Sequence, residues 1–268
     1  MKMVINEIFY SLQGEGFLAG VPSVFIRLAG CPLRCRWCDT KYAWDATAGK
    51  EYSIADIVDK VTHGRFRHVV ITGGEPMIQK DLPLLARELK AAGRHITIET
   101  AGIAYIPDMP CDLMSISPKL SNSMPTVEDG RQKPATARLA PAPVAGAVTP
   151  VAGDERTDVA GQNLYKPDIA VLQKLIDNYD YQFKFVVDSV NDLPEIQDTL
   201  DKLGNVDLQK VMLMPQAATK DELLAKSPMV AEMCKMMGLA FSQRLQILLW
   251  DNFAELIQCE GQVEAVFA

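Results

Sequence analysis

Residues 23–38 read SVFIRLAGCPLRCRWC, an apolar run followed by three cysteines in a C-x3-C-x2-C spacing. The run Ser23–Leu28 is short and rich in β-branched and aromatic residues, which predicts a strand. Cys31, Cys35 and Cys38 would then lie on a tight loop at the carboxyl end of that strand. Ligands of α/β sheets gather at this end of the strands. The stretch therefore predicts an α/β protein with a cluster of thiols beside its sheet.

Similar apolar runs recur along the chain and alternate with amphipathic segments. Further strands are predicted at His68–Thr72, His95–Glu99, Leu113–Ser117, Gln182–Val187, Lys210–Met214 and Leu245–Leu249. Capping or first-turn residues predict helices that begin at Ser53, near Pro83 and at Thr219, and helical periodicity returns over Asp168–Asn178. The alternation predicts parallel strands covered by crossover helices, as an open sheet or a partial barrel.

One stretch breaks this alternation. Five prolines fall between Pro125 and Pro150, among Ala, Gly, Thr and Val and without helical or strand periodicity. Proline removes backbone donors and restricts the chain, so the stretch predicts an extended surface segment. We therefore expect one domain, residues 1–268, that carries an insertion at about 121–162.

Composition and charge limit the possible functions. The chain has 268 residues, 48% of them hydrophobic and 23% charged, as in ordinary folded soluble proteins. A formal net charge of -7 does not supply the cationic surface that nucleic acids attract, so a small-molecule or protein partner is favoured. No apolar run approaches the ~18 residues that cross a bilayer, and Met1–Glu7 lacks the apolar core of a signal peptide. We therefore expect a cytoplasmic protein without a membrane segment.

The clustered cysteines predict a metal site rather than a disulfide framework. Cys111, Cys234 and Cys259 lie far from one another, whereas the other three fall within eight residues. Iron-sulfur clusters usually take four thiolates, so three would leave one iron open to a further ligand. The alternative is a structural zinc site completed by a distant residue; the candidates are His63, His68, His95 and Cys111.

A second motif supports a ligand site. The predicted strand that ends at Thr72 runs directly into Gly73-Gly74-Glu75-Pro76. Paired glycines let a backbone approach a ligand closely and expose its amide and carbonyl groups. Gly-Gly also serves ordinary βα turns, so this motif gains specificity only together with the cysteines.

With these two motifs, and with an aromatic residue before the last cysteine (Trp37), the chain resembles the radical SAM superfamily. Within it, the chain resembles the 7-carboxy-7-deazaguanine synthases. The motifs that carry this likeness are Ile8–Gly16, Val24–Cys31, Cys38–Thr40, Glu99–Gly102, Ser115–Ser121 and Met212–Gln216. The resemblance implies a single modified, incomplete (β/α) barrel.

The resemblance also implies the cofactors and the reaction. A [4Fe-4S] cluster would be held by Cys31, Cys35 and Cys38, which makes them catalytic, and S-adenosyl-L-methionine would bind the fourth iron. Contacts to S-adenosylmethionine are expected from Trp37, Cys38, Asp39, Gly73, Gly74, Ser117, Pro118, Lys119 and Gln216. The resulting radical would take hydrogen from C6 of 6-carboxy-5,6,7,8-tetrahydropterin, and ring contraction with loss of ammonia would give 7-carboxy-7-deazaguanine for queuosine-type biosynthesis. An electron donor such as a flavodoxin, Mg2+ and a homodimer are implied as well.

Substrate residues follow from the same resemblance, each beside a simpler interpretation. The pterin contacts would be Leu12, Gln13, Gly14, Glu15, Arg27 and Thr72. Gln13 and Glu15 could instead be polar residues of a Gly-rich turn. Arg27 stands in an apolar strand and must find an anion, which is either the substrate carboxylate or an internal Asp or Glu.

Thr72 could be a plain strand residue. Thr40 is the expected magnesium ligand, and a helix N-cap is its alternative.

Two rival functions remain: a radical SAM activase of a partner protein, and a zinc-stabilised binding module. The chain also departs from the family pattern, because 16 residues follow Leu249–Asn252.

Overall fold

A nine-stranded sheet runs through residues 1–125 and 166–251, which the computed structural model describes. The strands are β1 Lys2–Leu12, β2 Pro22–Leu28, β3 Lys50–Ser53, β4 His68–Gly73, β5 His95–Thr100, β6 Leu113–Ile116, β7 Tyr181–Val187, β8 Val211–Pro215 and β9 Ala240–Phe241. Their order is β3-β1-β2-β4-β5-β6-β7-β8-β9. β2 and β4 to β9 are parallel, whereas β1 pairs antiparallel with β2 and β3. The predicted α/β class with a mostly parallel, unclosed sheet is confirmed.

Six helices are described with the strands: α1 Ile54–Thr62, α2 Leu82–Ala91, α3 Ile169–Asn178, α4 Leu193–Lys202, α5 Lys220–Met237 and α6 Leu245–Trp250. The predicted helix starts are confirmed. Ser53 and Asp56 form a capping box, and Pro83 lies in the first turn of α2. The side chains of Asp168 and Thr219 accept from backbone N–H groups at the starts of α3 and α5. These caps satisfy N–H groups that a helix leaves unpaired.

Alternation along the strands gives the sheet one apolar and one polar face. On β7, Phe183 and Phe185 are fully buried in the main hydrophobic core, which they share with the apolar sides of the helices. Gln182 and Lys184 alternate with them and therefore point to the opposite face. The register places Gln182 beside Ser115 of β6. The helices thus cover one face, and the other carries the polar chemistry of the molecule.

One strand prediction is wrong, and the sequence does not predict three of the strands, β1, β3 and β9. Residues 245–249 form most of α6, and the place beside β8 belongs to β9. A short apolar run cannot be assigned from periodicity alone, and here Ile247 is buried against α5 by a helical turn. The strand β1, which lies between β3 and β2, could not be predicted because a register shift between Ile5 and Glu7 interrupts its alternation.

The proline-rich insertion and the carboxyl-terminal residues fall largely outside the described part of the chain. Residues 121–125 are described and include a short 3-10 helix, Ser121–Ser123. The remainder of the predicted insertion and the residues after Asp251 lie beyond the described ranges, so the single-domain organisation stays a prediction. None of the helices within those ranges is long and apolar enough to cross a membrane.

Candidate functional site

The loop of residues 31–40, here called the cysteine loop, follows β2 and carries three free thiols. Cys31 and Cys35 are buried and Cys38 is half-buried. Backbone hydrogen bonds hold the base of the loop, because the N–H of Cys31 donates to Trp44 at 3.1 Å and that of Cys38 donates to Cys35 at 3.1 Å. Burial raises the pKa of Cys35 to about 11 and raises the pKa of Cys31 as well. Ionisation of these thiols as metal ligands therefore requires nearby positive charge, which a metal site supplies.

Residues 73–76, here called the glycine turn, pack directly on the start of the cysteine loop. The Gly74 N–H donates to the Leu28 carbonyl at 2.9 Å, and the Glu75 N–H donates to the Gly30 carbonyl at 2.9 Å. A Cβ added to Gly74 would lie 1.9 Å from the Gly30 oxygen. Glycine is required at position 74 because the two backbones touch. The structure thus brings the two sequence motifs together.

Glu75 joins the glycine turn to the end of β5. Its carboxylate, only 1% exposed, accepts from the Thr100 hydroxyl at 2.6 Å and from the Ala101 N–H at 2.8 Å. Burial raises its pKa, although these hydrogen bonds act in the opposite direction. A buried carboxylate with several donors fixes the orientation of the segments that supply them. Glu75 belongs to the sequence motif at residues 73–76, but its bridging role depends on contacts with β5 that the sequence does not show.

The end of β6 also reaches the cysteine loop. Lys119 donates to the Ser117 hydroxyl at 3.0 Å, and Pro118 between them is buried. The Lys119 charge opposes the burial effect on the pKa of Cys35, which places its ammonium near that thiol. The segment Ser117–Lys119 therefore lies beside the cysteine loop, where the sequence predicts that S-adenosylmethionine binds.

The donor set fits an iron-sulfur cluster better than zinc. Among the described residues, no three His, Cys, Asp or Glu side chains are arranged to hold one metal ion. Thiolates of a [4Fe-4S] cluster each bind a different iron and need not converge on a point. His68, His95 and Cys111 lie at or before the amino-terminal ends of β4, β5 and β6, whereas the cysteine loop lies at the carboxyl ends. These zinc candidates are therefore at the wrong edge of the sheet.

A second group of side chains, here called the charged network, crosses the polar face. It consists of Glu15, Glu99, Lys184, Arg244 and Asp39. The Lys184 ammonium donates to Glu15 at 2.9 Å and to Glu99 at 2.8 Å. Arg244 donates through Nε to Glu15 at 3.2 Å and through Nη2 to Asp39 at 2.9 Å. Because Asp39 belongs to the cysteine loop, Arg244 links that loop to the polar face.

Charge pairing dominates the electrostatics of this network. Burial alone would raise the pKa of Glu15, but Lys184 and Arg244 outweigh it and lower that pKa to about 2. Burial would conversely lower the pKa values of Lys184 and Arg244, and their carboxylate partners raise both. All three groups therefore stay charged across the physiological range.

The turn at residues 13–16 supplies the predicted pterin residues. Gln13 is buried and donates through Nε2 to Glu99 at 3.1 Å, so it lies within the charged network. Gly14 packs so closely on Gln246 that an added Cβ would lie 1.8 Å from the Gln246 Oε1. Leu12, the last residue of β1, is half-buried. Glu15 is thus an ion-paired residue rather than a solvent-facing turn carboxylate.

Arg27 lies on the polar face of β2 and already has an internal partner. Its Nε donates to Glu7 at 2.5 Å, and both side chains are about nine-tenths buried. The guanidinium also lies over the rings of Phe9 and Tyr42, 5.5 and 5.9 Å from their centroids. For the Nε atom of Arg27, the anion is therefore an internal carboxylate, that of Glu7. A role toward a substrate carboxylate therefore falls to the Nη atoms and remains a prediction.

The other predicted residues occupy varied surroundings. Thr72 is half-buried and lies directly beside Arg27 in the sheet register. Thr40 occupies the N-cap position of a 3-10 helix, but its side chain makes no capping bond there; its hydroxyl lies 3.6 Å from the Cys38 sulfur. Trp37 is half-buried under the guanidinium of Arg36. Gln216, after β8, accepts from Lys226 at 2.6 Å.

Sequence reasoning missed Lys184, Arg244 and the role of Glu99. A signal for Lys184 was present, since a lysine inside the run YQFKFVV needs an anion as much as Arg27 does in its strand. The partners of Lys184 lie 85 and 169 residues away in sequence. Arg244 lies at the N-cap position of α6, and a strand over 245–249 would have placed its side chain differently.

Comparisons with known proteins agree with this geometry. The Radical SAM superfamily model matches residues 25–121. The 7-carboxy-7-deazaguanine synthase of Halobacterium salinarum is 39% identical, with 94% of this chain and 91% of that protein covered. The enzyme of the same description from Rhodopirellula baltica is 38% identical, with 94% and 88% covered. The crystal structure of QueE from Escherichia coli matches with a TM-score of 0.64 and 26% identity over 91% of this chain and 95% of that chain.

Proposed function

The chain belongs to the 7-carboxy-7-deazaguanine synthases of the radical SAM superfamily, and on this premise we propose the reaction and the roles of its residues. It converts 6-carboxy-5,6,7,8-tetrahydropterin to 7-carboxy-7-deazaguanine with loss of ammonia. The observation that carries this proposal is the link between the two parts of the site. Arg244 contacts both Asp39 of the cysteine loop and Glu15 of the charged network. A group bound at the cysteines thus has a polar, ion-paired surface beside it.

Cys31, Cys35 and Cys38 hold the cluster in this proposal. When bound, the [4Fe-4S] cluster supplies the electron that cleaves S-adenosylmethionine. The protein positions the bound groups. Gly74 and Glu75 of the glycine turn pack on the start of the cysteine loop, and Lys119 places a positive charge near Cys35. Ser117 and Lys119 are suited to the carboxylate or ribose of S-adenosylmethionine.

The turn at residues 13–16 binds the pterin in this proposal. Pterins present N–H donors at the edge of their aminopyrimidine ring, and an ionised carboxylate accepts from such an edge without losing a proton. Glu15 is suited to this task because its pKa of about 2 keeps it ionised. Arg27 offers its Nη atoms to the substrate carboxylate, while Glu7 holds the opposite side of the guanidinium.

Thr40 is our proposed protein ligand of Mg2+. Magnesium keeps several waters and takes few protein oxygens, so one hydroxyl is a sufficient contribution. The Thr40 hydroxyl makes no capping bond at its N-cap position, which supports this role over the alternative.

Two further assignments rest on the resemblance of the sequence motifs: a flavodoxin-type donor reduces the cluster, and two copies of the chain form a homodimer. We also propose that the enzyme works in the cytoplasm. The acidic net charge of -7 agrees with a small-molecule substrate rather than a nucleic acid. Sedimentation analysis of the reconstituted enzyme tests the dimer.

Anaerobic reconstitution tests the function directly. The protein is incubated with iron, sulfide, S-adenosylmethionine, a reductant and 6-carboxy-5,6,7,8-tetrahydropterin, and the product is identified by mass. We expect 7-carboxy-7-deazaguanine and absorption near the 400 nm region that is typical of iron-sulfur proteins. Cluster formation without any turnover of the pterin would instead support the activase alternative. A protein that binds zinc but no iron would support the binding module.

A further inference from the structure

Lys184 is the most buried charged residue of the polar face. Its side chain is 2% exposed, yet it lies on a strand whose neighbouring residues Phe183 and Phe185 are fully buried in the hydrophobic core. Burial of an ammonium costs several kcal/mol unless it is paired. The pairing here is double, with Glu15 and Glu99 both within 3 Å. Lys184 is thus shared by two carboxylates, and Glu15 has Arg244 as a second cationic partner.

The two carboxylates lie between Lys184 and solvent. Their side chains are 17% and 18% exposed, so the ammonium is at the bottom and the carboxylates form its outer layer. Glu99 uses one oxygen for Lys184 and the other for Gln13. Each carboxylate oxygen can accept about two hydrogen bonds, so acceptor capacity remains at Glu99.

The fold brings Lys184, Glu15 and Glu99 together, because each residue comes from a different part of the sheet. Lys184 comes from β7, Glu99 from β5 and Glu15 from the turn after β1. Two ionised carboxylates that share one ammonium would repel each other if that cation were removed. Removal of Lys184 would therefore free Glu15 to move and raise its pKa toward the ordinary value, and the proposed function assigns this residue to the pterin.

We propose that Lys184 is a positioning residue of the pterin site: its ammonium holds the Glu15 and Glu99 carboxylates as a pair of acceptors for the N–H groups of the aminopyrimidine edge. The proposal deepens the proposed function and rests on it. Lys184 acts through the two carboxylates and makes no contact with the substrate.

A role for Lys184 as a proton donor to the departing ammonia is disfavoured by the same geometry. Its two carboxylate partners raise its pKa in spite of its burial, so the ammonium gives up a proton with difficulty. General acids work best when their pKa lies near the working pH. Lys184 is therefore suited to a fixed charge rather than to proton transfer.

Binding of 6-carboxypterin, the oxidised analogue that cannot lose a hydrogen at C6, tests the proposal on the reconstituted enzyme. We expect Lys184→Met to weaken this binding on the order of 10- to 100-fold, as for other residues that orient a ligand-binding group. Lys184→Arg keeps the charge and should recover part of the affinity. The matched control is Lys202→Met, which removes an exposed ion pair with Asp198 and should leave the affinity unchanged.

Two further measurements separate positioning from a general loss of structure. Iron content and the affinity for S-adenosylmethionine should stay at wild-type values in Lys184→Met, because the cysteine loop is built from other elements. If the single variant fails to fold, Lys184→Met with Glu99→Gln removes one cation and one anion together, and should fold while still binding 6-carboxypterin weakly. Wild-type affinity in any folded variant that lacks Lys184 would overturn the proposal.

The wild-type protein separates the failure of this inference from failure of the proposed function. Wild-type enzyme that neither binds 6-carboxypterin nor forms 7-carboxy-7-deazaguanine would reject the function itself. Wild-type enzyme that does both, beside a Lys184→Met variant that binds equally well, would reject only the role of Lys184.

Discussion

The cysteine loop and the charged network are joined through Arg244, but they are built in different ways. The cysteine loop is held by backbone hydrogen bonds and by the close approach of Gly74, and burial raises the pKa values of Cys31 and Cys35. The charged network is made of side chains whose charges are already paired, with the pKa of Glu15 lowered to about 2. Thiolates in the loop would therefore need positive charge from a bound metal, whereas the charges of the network are paired with one another within the protein. Variants of the cysteine loop should therefore lose the cluster, whereas variants of the charged network should lose pterin binding.

The largest expected effect is loss of the cluster. Cys35→Ala removes one of three thiols on a single loop, and the described structure places no spare cysteine at that edge of the sheet. We expect no cluster absorption and no cleavage of S-adenosylmethionine. Cys111→Ala, at the opposite edge, is the matched control and should keep both. A Cys35→Ala protein that still assembled four irons would refute the cluster assignment.

Removal of the Arg27 guanidinium should weaken pterin binding and leave the iron content unchanged. Arg27→Ala leaves the pterin carboxylate without its partner, at a cost on the order of 2 to 5 kcal/mol in pterin binding. Glu7 loses its ion pair but keeps the hydrogen bond from the Tyr42 hydroxyl. Arg27→Lys should recover only part, because a point charge lacks the planar fork. Titration with 6-carboxypterin measures the loss, while iron content serves as the internal control. Unchanged pterin affinity would leave the ion pair with Glu7 as the whole role of Arg27.

A methyl group at position 74 should disturb the cysteine loop through its backbone. The added Cβ of Gly74→Ala would meet the Gly30 carbonyl, so the glycine turn and the loop must separate. We expect a loss of about 1 to 3 kcal/mol in the free energy of unfolding, together with a lower iron content. Urea unfolding and iron analysis measure these quantities. Gly204→Ala is the control, because its Cβ would meet only the end of a glutamine side chain at 3.6 Å.

The pH dependence should reveal the pairing of Glu15. Since the pKa of Glu15 lies near 2, the carboxylate is ionised throughout the range from pH 5 to pH 8, and pterin affinity should show no change from this group there. Arg244→Met removes one of two counter-charges, so the pKa should rise toward the ordinary value of 4.5 and affinity should begin to fall as the pH approaches 5. Arg87→Met, at an exposed position of α2, is the control and should give the flat wild-type profile.

The smallest effect is expected at Thr40. Thr40→Val keeps the shape of the side chain but removes an oxygen, so turnover should fall at low magnesium and recover as the magnesium concentration rises. Thr40→Ser keeps the oxygen and should follow the wild-type titration. A Thr40→Val defect that did not change with magnesium would remove the residue from the metal site.

Much of the fold and of the cysteine loop could be predicted from the sequence because their signals are local. The capping residues Ser53 and Thr219, the strand before Cys31 and the paired glycines each act within a few positions of the chain. The charged network could not be predicted in this way, since Lys184 meets Glu15 and Glu99 only when distant strands align. The internal contact of Arg27 with Glu7 depends likewise on β1, the strand whose interrupted alternation concealed it.

In this account the cysteine loop serves the cleavage of S-adenosylmethionine and the charged network serves the pterin, and Glu15→Gln tests this separation of roles most directly. Reconstituted wild-type and variant enzymes of equal iron content are incubated with S-adenosylmethionine, reductant and the tetrahydropterin, and 5'-deoxyadenosine and 7-carboxy-7-deazaguanine are measured together. We predict that the variant still cleaves S-adenosylmethionine but forms little product, so that the ratio of 5'-deoxyadenosine to product rises by about tenfold or more, which corresponds to about 1.4 kcal/mol of lost discrimination. A variant that keeps the wild-type ratio, or one that loses cleavage and product equally, would contradict the claim.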